Sequence, residues 1–234
     1  MPEVVQAPGF YGKLPARGDF IGRRLSRAFI NALDEWLQTS ISASRDALGE
    51  RWLELYLVSP LWRFVCAAGC CGPKTVAGVL VPSVDTVGRY FPLIVGQEID
   101  APTDPAAFAG TDAWFEALEG LALAALDPAF DLAAFDTPLV LPLGENRRTS
   151  GASIAPSPLE VPGRYFALGE SAQELMSLSA PPGPVSCWWT LGSDHVEPCL
   201  LMCPGLPGPR VFASLLDGDW EARGWVMEKN GTLA

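Results

Sequence analysis

The sequence predicts an α/β fold whose strands are covered on both faces. One observation is a set of short, almost continuously apolar runs that are bounded by Gly and Pro and rich in β-branched and aromatic residues. Another is a set of longer runs in which apolar residues recur at helical spacing. Of the 234 residues, 49% are hydrophobic and 18% are charged, which is typical of a globular chain. We expect one domain over residues 1–234.

The first distinctive segment is GFYGKLPARGDFIGRRL, residues 9–25. It holds four glycines and four basic residues around a single acid, Asp19. Glycine permits backbone angles that other residues avoid, and Pro15 stiffens the turn between them. We expect a structured loop that leads into a helix over residues 26–48, with Ser26 as its N-cap.

Helices and strands then follow in mixed order. The run ERWLELYLVS predicts a short helix that ends before Pro60, and a second helical region begins near Asp104, ahead of Pro105. Shorter helices are expected in DPAFDLAAF and PRVFASLLDG. The predicted strands are residues 61–68, 75–83, 90–99, 184–191 and 197–206.

Residues 137–184 differ in composition from the rest, with eight prolines and five glycines in 48 residues. This predicts a loop-rich stretch, either an insertion or a linker between two halves. The longest uncharged run is interrupted by proline, and no apolar run follows the initial Met. We therefore expect neither a membrane span nor a signal peptide, and a cytoplasmic location.

The net charge of −11 is concentrated in the middle of the chain. Residues 90–146 hold ten acids and no Lys or Arg. Nucleic-acid binding needs clustered cations, so this distribution argues against a nucleic-acid partner. The acids either lie on solvated helix faces or steer a basic protein surface.

The cysteine and histidine content gives little support for a metal site. The six cysteines lie mostly in apolar runs, where free thiols pack as small apolar groups in a reducing compartment. The alternative is a zinc site that combines His195, the only histidine, with Cys187, Cys199 and Cys203, but no CxxC motif is present. We expect no cofactor.

Catalytic motifs are also missing from the sequence. The run GCCGPKT resembles a phosphate-binding loop, but a proline separates the last Gly from the Lys. There is neither a G-x-S-x-G elbow nor an H-E-x-x-H motif. We expect no enzyme; the alternative is a small-ligand or enzymatic domain with a pocket around Lys13, Asp19, Asp85 and Arg89.

Four segments together resemble the TagF (ImpM) proteins associated with bacterial type VI secretion: GKLPARGDF, SPLWRF, PSVDTVGRYFPL and CWWT. Their order and spacing extend over nearly the whole chain, with residues 101–184 as the weakest part. The resemblance implies a three-layer α/β/α sandwich without catalytic residues. It also implies a cytoplasmic, post-translational repressor of secretion that binds the forkhead-associated scaffold protein, Fha. A structural component of the secretion apparatus is a further hypothesis.

The motif residues have two interpretations. Asp19 has basic neighbours in the sequence and could also pair with distant arginines, and Asp85 and Arg89 form a second expected pair. One interpretation is an ion network that fixes loop geometry, in which partly buried groups stay charged only when paired. The other is that these loops form a ligand or partner surface at one edge of the sheet. The candidates are Lys13, Arg17, Asp19, Arg23, Arg63, Asp85, Arg89, Trp188 and Trp189.

The adjacent tryptophans lie on a predicted strand, so Trp188 and Trp189 are expected to face opposite sides of the sheet. One of them is then a core residue. The other faces solvent, a helix layer or a protein partner.

Overall fold

The computed structural model describes residues 3–100, 105–108, 110–143, 164–167 and 183–227. The strands are β1 Glu3–Gln6, β2 Gly9–Gly12, β3 Ile21–Arg23, β4 Trp62–Cys66, β5 Thr75–Val81, β6 Leu93–Ile99, β7 Leu139–Pro142, β8 Arg164–Ala167, β9 Val185–Thr190, β10 Cys199–Pro204 and β11 Val226–Met227. The α-helices are α1 Arg27–Leu48, α2 Trp52–Leu57, α3 Asp112–Ala124 and α4 Ser214–Asp217. Short 3₁₀ helices span Gly49–Arg51, Pro105–Phe108, Leu132–Asp136, Pro209–Val211 and Glu221–Arg223.

Within the described residues, nine strands form one sheet in the order β11-β8-β10-β9-β4-β5-β6-β2-β3. Neighbouring strands are antiparallel, except for the parallel pair of β8 and β11. Strands β1 and β7 form a separate two-stranded antiparallel ribbon. The fold is therefore mixed α/β, with a large and mostly antiparallel sheet.

Helix α1 follows directly from the sequence pattern. The Ser26 hydroxyl accepts a hydrogen bond from the Phe29 N–H at 3.2 Å, which satisfies one of the free donors at the helix start. The apolar stripe of the helix is buried against the sheet. The predicted helix and its N-cap are confirmed. The buried apolar residues of α1 are Phe29, Leu33, Trp36, Leu37 and Ile41.

Two hydrophobic cores lie on opposite faces of the sheet. Helices α1, α2 and α4 cover one face, and α3 covers the other together with β7 and the 3₁₀ helix Leu132–Asp136. The adjacent residues Trp188 and Trp189 lie in different cores, on opposite faces of the sheet. Trp188 packs in the first core against Phe64, whereas Trp189 packs in the second against Phe115. Both indoles are buried, so each faces a core.

The prediction that strands are covered on both faces is confirmed, since all residues of β4, β5 and β9 are buried. The three-layer sandwich implied by the resemblance is not clearly present. The nine-stranded, mostly antiparallel sheet dominates the fold.

The structure also corrects several local expectations. The opening segment is not a loop throughout, because β2 and β3 pair within it. The second helical region is split at Gly110, whose φ of 78° is incompatible with a continuous helix. Its expected start at Asp104 lies outside the described residues. The described parts of residues 137–184 contain β7 and β8; most of the stretch lies outside the described residues.

A close backbone approach in the middle of the sheet requires glycine. Gly78 on β5 lies opposite Gly96 on β6. A Cβ on Gly78 would lie 2.4 Å from the Val95 carbonyl oxygen and 2.8 Å from the Gly96 Cα. These neighbours are main-chain atoms, so they cannot rotate away as a flexible side chain would.

We predict that Gly78→Ala lowers the free energy of unfolding by about 1–3 kcal/mol, because the added methyl must displace a neighbouring strand. Gly120→Ala is the matched control. Gly120 lies in α3 with open space around its Cβ position, so alanine should stabilise the protein by up to about 1 kcal/mol. Urea denaturation of both variants measures the difference. Effects of the same sign would contradict the close approach.

Candidate functional site

Two loops that carry sequence motifs meet at one end of β2, β5 and β6. Residues 13–20 follow β2, and residues 82–92 connect β5 to β6. We call them the motif loops. The Thr86 N–H donates to the Arg17 carbonyl at 3.3 Å, and the Ser83 hydroxyl donates to the Lys13 carbonyl at 2.8 Å. These bonds hold the motif loops against each other.

The Asp85 carboxylate is the centre of the contact between the motif loops. Its side chain is 0% exposed, and it accepts a hydrogen bond from the ammonium group of Lys13, which is 5% exposed. It also accepts from the Arg89 Nε at 2.7 Å, the Arg89 backbone N–H at 2.8 Å and the Val87 backbone N–H at 3.0 Å. The carboxylate is thus paired with charge and with backbone donors, as a buried anion requires.

The protonation state of Asp85 follows from two opposing effects. Burial raises the pKa of the carboxyl, because it disfavours the charged form. The hydrogen bonds from Lys13 and Arg89 outweigh burial and hold the pKa of Asp85 well below its usual range. Asp85 is therefore ionised at neutral pH and supplies the counter-charge that buried Lys13 needs.

Neighbouring groups extend this network into both loops and into α2. The Tyr56 hydroxyl donates to the Ser83 carbonyl at 3.0 Å and accepts from the Ser83 N–H at 3.1 Å. Burial raises the pKa of Tyr56, so the phenol stays protonated. The Arg89 guanidinium donates to the Gly18 carbonyl. Sequence analysis missed Tyr56 and Ser83, although Ser83 lies within the PSVD part of a motif.

Asp19 does not join the network. Its side chain is exposed, and no cation of the described residues lies within ion-pair distance of it. Arg17 is also exposed and contributes its carbonyl to the loop contact. The pairing of Asp19 with arginine is therefore not observed. Lys13 and Arg89 both pair with Asp85. The expected pair of Asp85 and Arg89 is therefore present, and Lys13 is an additional partner of Asp85.

Arg63 lies in a separate network. From β4 it donates to both carboxylate oxygens of Glu119 on α3, at 2.6 Å and 3.0 Å, and to Asp112 at 3.1 Å. Burial lowers the pKa of Arg63, but the pairing with Glu119 outweighs it and the pKa is raised. Arg63 therefore joins the sheet to α3 and does not contact the motif loops.

Arg23 and Arg24 also bind an anion from the acidic middle of the chain. Both guanidiniums contact the Asp136 carboxylate, Arg24 at 2.6 Å and Arg23 at 3.2 Å. The hydrogen bond from Arg24 lowers the pKa of Asp136. These contacts connect the end of β3 to the 3₁₀ helix Leu132–Asp136.

A cavity of about 310 Å³ lies at the opposite end of β2, β5 and β6 from the motif loops. The buried Gln97 side chain lies at this cavity, and its Oε1 accepts no hydrogen bond from the described residues. The ligand alternative placed a pocket around the motif residues instead. The residues lining the cavity are Gln6, Ala7, Gly9, Arg24, Lys74, Gln97, Glu98 and Asp100.

The structure also places the residues of the alternative zinc site. His195 is exposed while Cys187, Cys199 and Cys203 are buried, and the described part of the chain contains no group of side chains that could hold a metal ion. None of the six cysteines, all of which lie in the described ranges, forms a disulfide. No helix among the described ranges combines the length and hydrophobicity needed to cross a membrane.

Comparison with known proteins identifies the family. The model of the TagF N-terminal domain, described as type VI secretion system-associated, matches residues 9–140, which include both motif loops. The chain belongs to the TagF family. The crystal structure of PA0076 from Pseudomonas aeruginosa PAO1 is similar, with 35% identity, 97% of this chain and 100% of that chain covered, and a TM-score of 0.71. No curated protein matches the chain. The resemblance inferred from the motifs is confirmed, and this TagF protein is associated with type VI secretion.

The lowered pKa of Asp85 makes the stability of the TagF protein depend on pH. The ionised carboxylate stabilises the fold above its ordinary pKa of 3.8, and this contribution is lost as the pH falls below that value. We predict that Asp85→Asn lowers Tm by roughly 5–10 °C at neutral pH, because Lys13 is left buried without a counter-charge. The difference from wild type should narrow between about pH 4 and pH 2.

Thermal unfolding followed by circular dichroism across this pH range measures the effect. Asp19→Asn is the matched control, since Asp19 is exposed and should leave Tm unchanged. An equal loss in both variants, or a difference from wild type that persists unchanged to pH 2, would contradict the buried network.

Proposed function

We propose that this TagF protein is a non-enzymatic, cytoplasmic regulator that represses type VI secretion after translation by binding an Fha-type scaffold protein. One observation carries the proposal. The motif loops use their buried charges to bind each other, and they hold an ordered, partly apolar outer surface in place.

The charges inside the motif loops favour a structural role over catalysis. A general acid or base works best when its pKa lies near the operating pH. The pKa of Asp85 is held well below that range by Lys13 and Arg89. Asp19, which the enzymatic alternative placed in the same pocket, is exposed to solvent away from this pairing.

The outer surface of the motif loops supports protein binding. Phe20 is 43% exposed and Val87 is 68% exposed, and three charged side chains lie beside them in the same loops. An exposed aromatic residue on a loop that does not need to reorganise loses little entropy on binding and is a common interface anchor. We call this surface the motif rim. It consists of Arg17, Asp19, Phe20, Val87 and Arg89.

The proposed mechanism is occupancy. A scaffold protein whose surface is covered by the motif rim is unavailable for assembly of the secretion system, so no chemical change is required. Deletion of the TagF gene is then expected to raise secretion without an added stimulus. Near-stoichiometric recovery of the TagF protein in the membrane or sheath fraction would favour a structural component instead.

We predict that the purified TagF protein retains a purified Fha-type scaffold in a pull-down at low and at moderate salt. Val87→Asp should weaken retention at least about tenfold, because it places a charge at the centre of the motif rim. Leu123→Asp is the matched control, since Leu123 is 56% exposed on α3, away from the motif loops. No retention of the scaffold by wild type, or equal losses in the two variants, would contradict the proposal.

A further inference from the structure

The edge of the sheet next to the motif rim has the properties of a peptide-binding strand. We infer that β3 binds an extended acidic segment of a protein partner, which joins the sheet as an additional strand. The inference rests on the proposed function only for the identity of that partner. We call the surface the basic edge, formed by Arg17, Ile21–Arg23, Arg24 and Arg27.

Among the described residues, β3 is an edge strand of the sheet. β3 is the last strand in the sheet order and is antiparallel to β2, with Tyr11 opposite Gly22. In such a pair, alternate residues direct their N–H and C=O groups away from the neighbour. Across the ranges that the structure describes, no backbone hydrogen bond connects β3 to any element other than β2. These groups can therefore pair with an added strand.

The charge at this edge is opposite to that of the whole protein. The arginines of the basic edge are all exposed, in a chain whose net charge is −11. Two of them, Arg23 and Arg24, share a single carboxylate, that of Asp136. The four arginines outnumber Asp136 and the exposed Asp19, so a surplus of positive charge remains beside β3. An acidic segment complements this surplus.

Arg27 adds to the surplus of positive charge, although a cation is unfavourable at the start of a helix. It lies in the first turn of α1, where the helix dipole favours acids, and that turn holds none. The first turns of α1 lie close to β3, because Ile30 is 3.9 Å from the position of a Cβ on Gly22. Helix stability therefore does not explain Arg27, whereas attraction of an anionic partner does.

The same charges argue against a second copy of this chain as the occupant. Short edge strands that carry cations resist pairing with each other, because like charges then meet across the new strand pair. An acidic strand meets the opposite sign. The exposed Phe20 precedes β3 and offers a contact for an apolar side chain, so acidic and apolar residues should alternate in the bound segment.

The test uses a defined probe, a fluorescein-labelled heptapeptide of alternating Glu and Val with blocked termini. Fluorescence anisotropy should detect binding by the wild-type protein that weakens as salt rises from about 50 mM to about 300 mM. Arg23→Glu should reduce affinity at least about tenfold. Arg51→Glu is the matched control, because Arg51 is exposed in the 3₁₀ helix Gly49–Arg51, and it should leave affinity unchanged.

A second probe separates strand addition from simple charge attraction. The same peptide with N-methyl groups on alternate backbone nitrogens keeps its charge but cannot form a strand ladder on the methylated side. It should bind at least about tenfold more weakly than the parent peptide, and the parent peptide should shift the backbone amide NMR signals of Ile21–Arg23. Equal binding of both peptides, or an equal effect of Arg23→Glu and Arg51→Glu, would overturn the inference.

Failure of this inference can be distinguished from failure of the proposed function. If Arg23→Glu retains the purified scaffold as well as wild type does, the basic edge is not its docking site, although the regulatory proposal stands. If wild type binds the acidic probe in the expected pattern but retains no scaffold, the basic edge stands and the Fha-type partner is wrong.

Discussion

The ion pair between Lys13 and Asp85 is the interaction on which the arrangement of the motif loops depends. Both charges are buried, and a buried charge that loses its partner costs far more than an exposed one. Lys13 follows β2 and Asp85 lies between β5 and β6, so the pair fixes two loops that are 72 residues apart in sequence. The position of Phe20 and Val87 at the surface follows from that constraint. The network is therefore structural in itself, and what it supports is the shape of the rim.

Folding brings several of the unevenly distributed charges of the chain together as ion pairs. Arg63 lies in the basic first third of the sequence and is neutralised by Glu119 and Asp112 from the acidic middle. Asp136, from the same middle region, binds Arg23 and Arg24. Three acids that appear as part of an unbalanced block in the sequence are thus counter-ions of arginines that precede the block in the chain. The acidic middle is not one continuous solvated face, and the surplus positive charge beside β3 is a local property that the net charge conceals.

The sequence predicts those helices and strands whose signals lie within the segment itself. Helix α1 was found from its N-cap and apolar stripe, and β4, β5, β6, β9 and β10 from continuous apolar runs, because these signals lie within each segment. Strands β2 and β3 are not predicted, because GFYG and IGR contain glycine and few β-branched residues. Pairing with the distant β6 stabilises β2, and pairing with β2 stabilises β3. The same reasoning explains the error at Asp19. Its neighbours Arg23 and Arg24 are close in sequence but bind the distant Asp136, whereas the buried Lys13 pairs with the distant Asp85.

The part of the motif rim from Arg17 to Phe20 and the basic edge form one continuous segment of chain. Arg17, whose carbonyl joins the motif loops, is four residues before β3, and Phe20 lies directly between the network and the strand. Since the network fixes the start of this segment and pairing with β2 fixes its end, Phe20 and the arginines are presented without reorganisation. Such preorganisation suits a protein that regulates by occupying a partner, because binding then depends on shape and charge alone. The two motifs, far apart in sequence, each supply one half of the buried charge pair that holds the motif loops together.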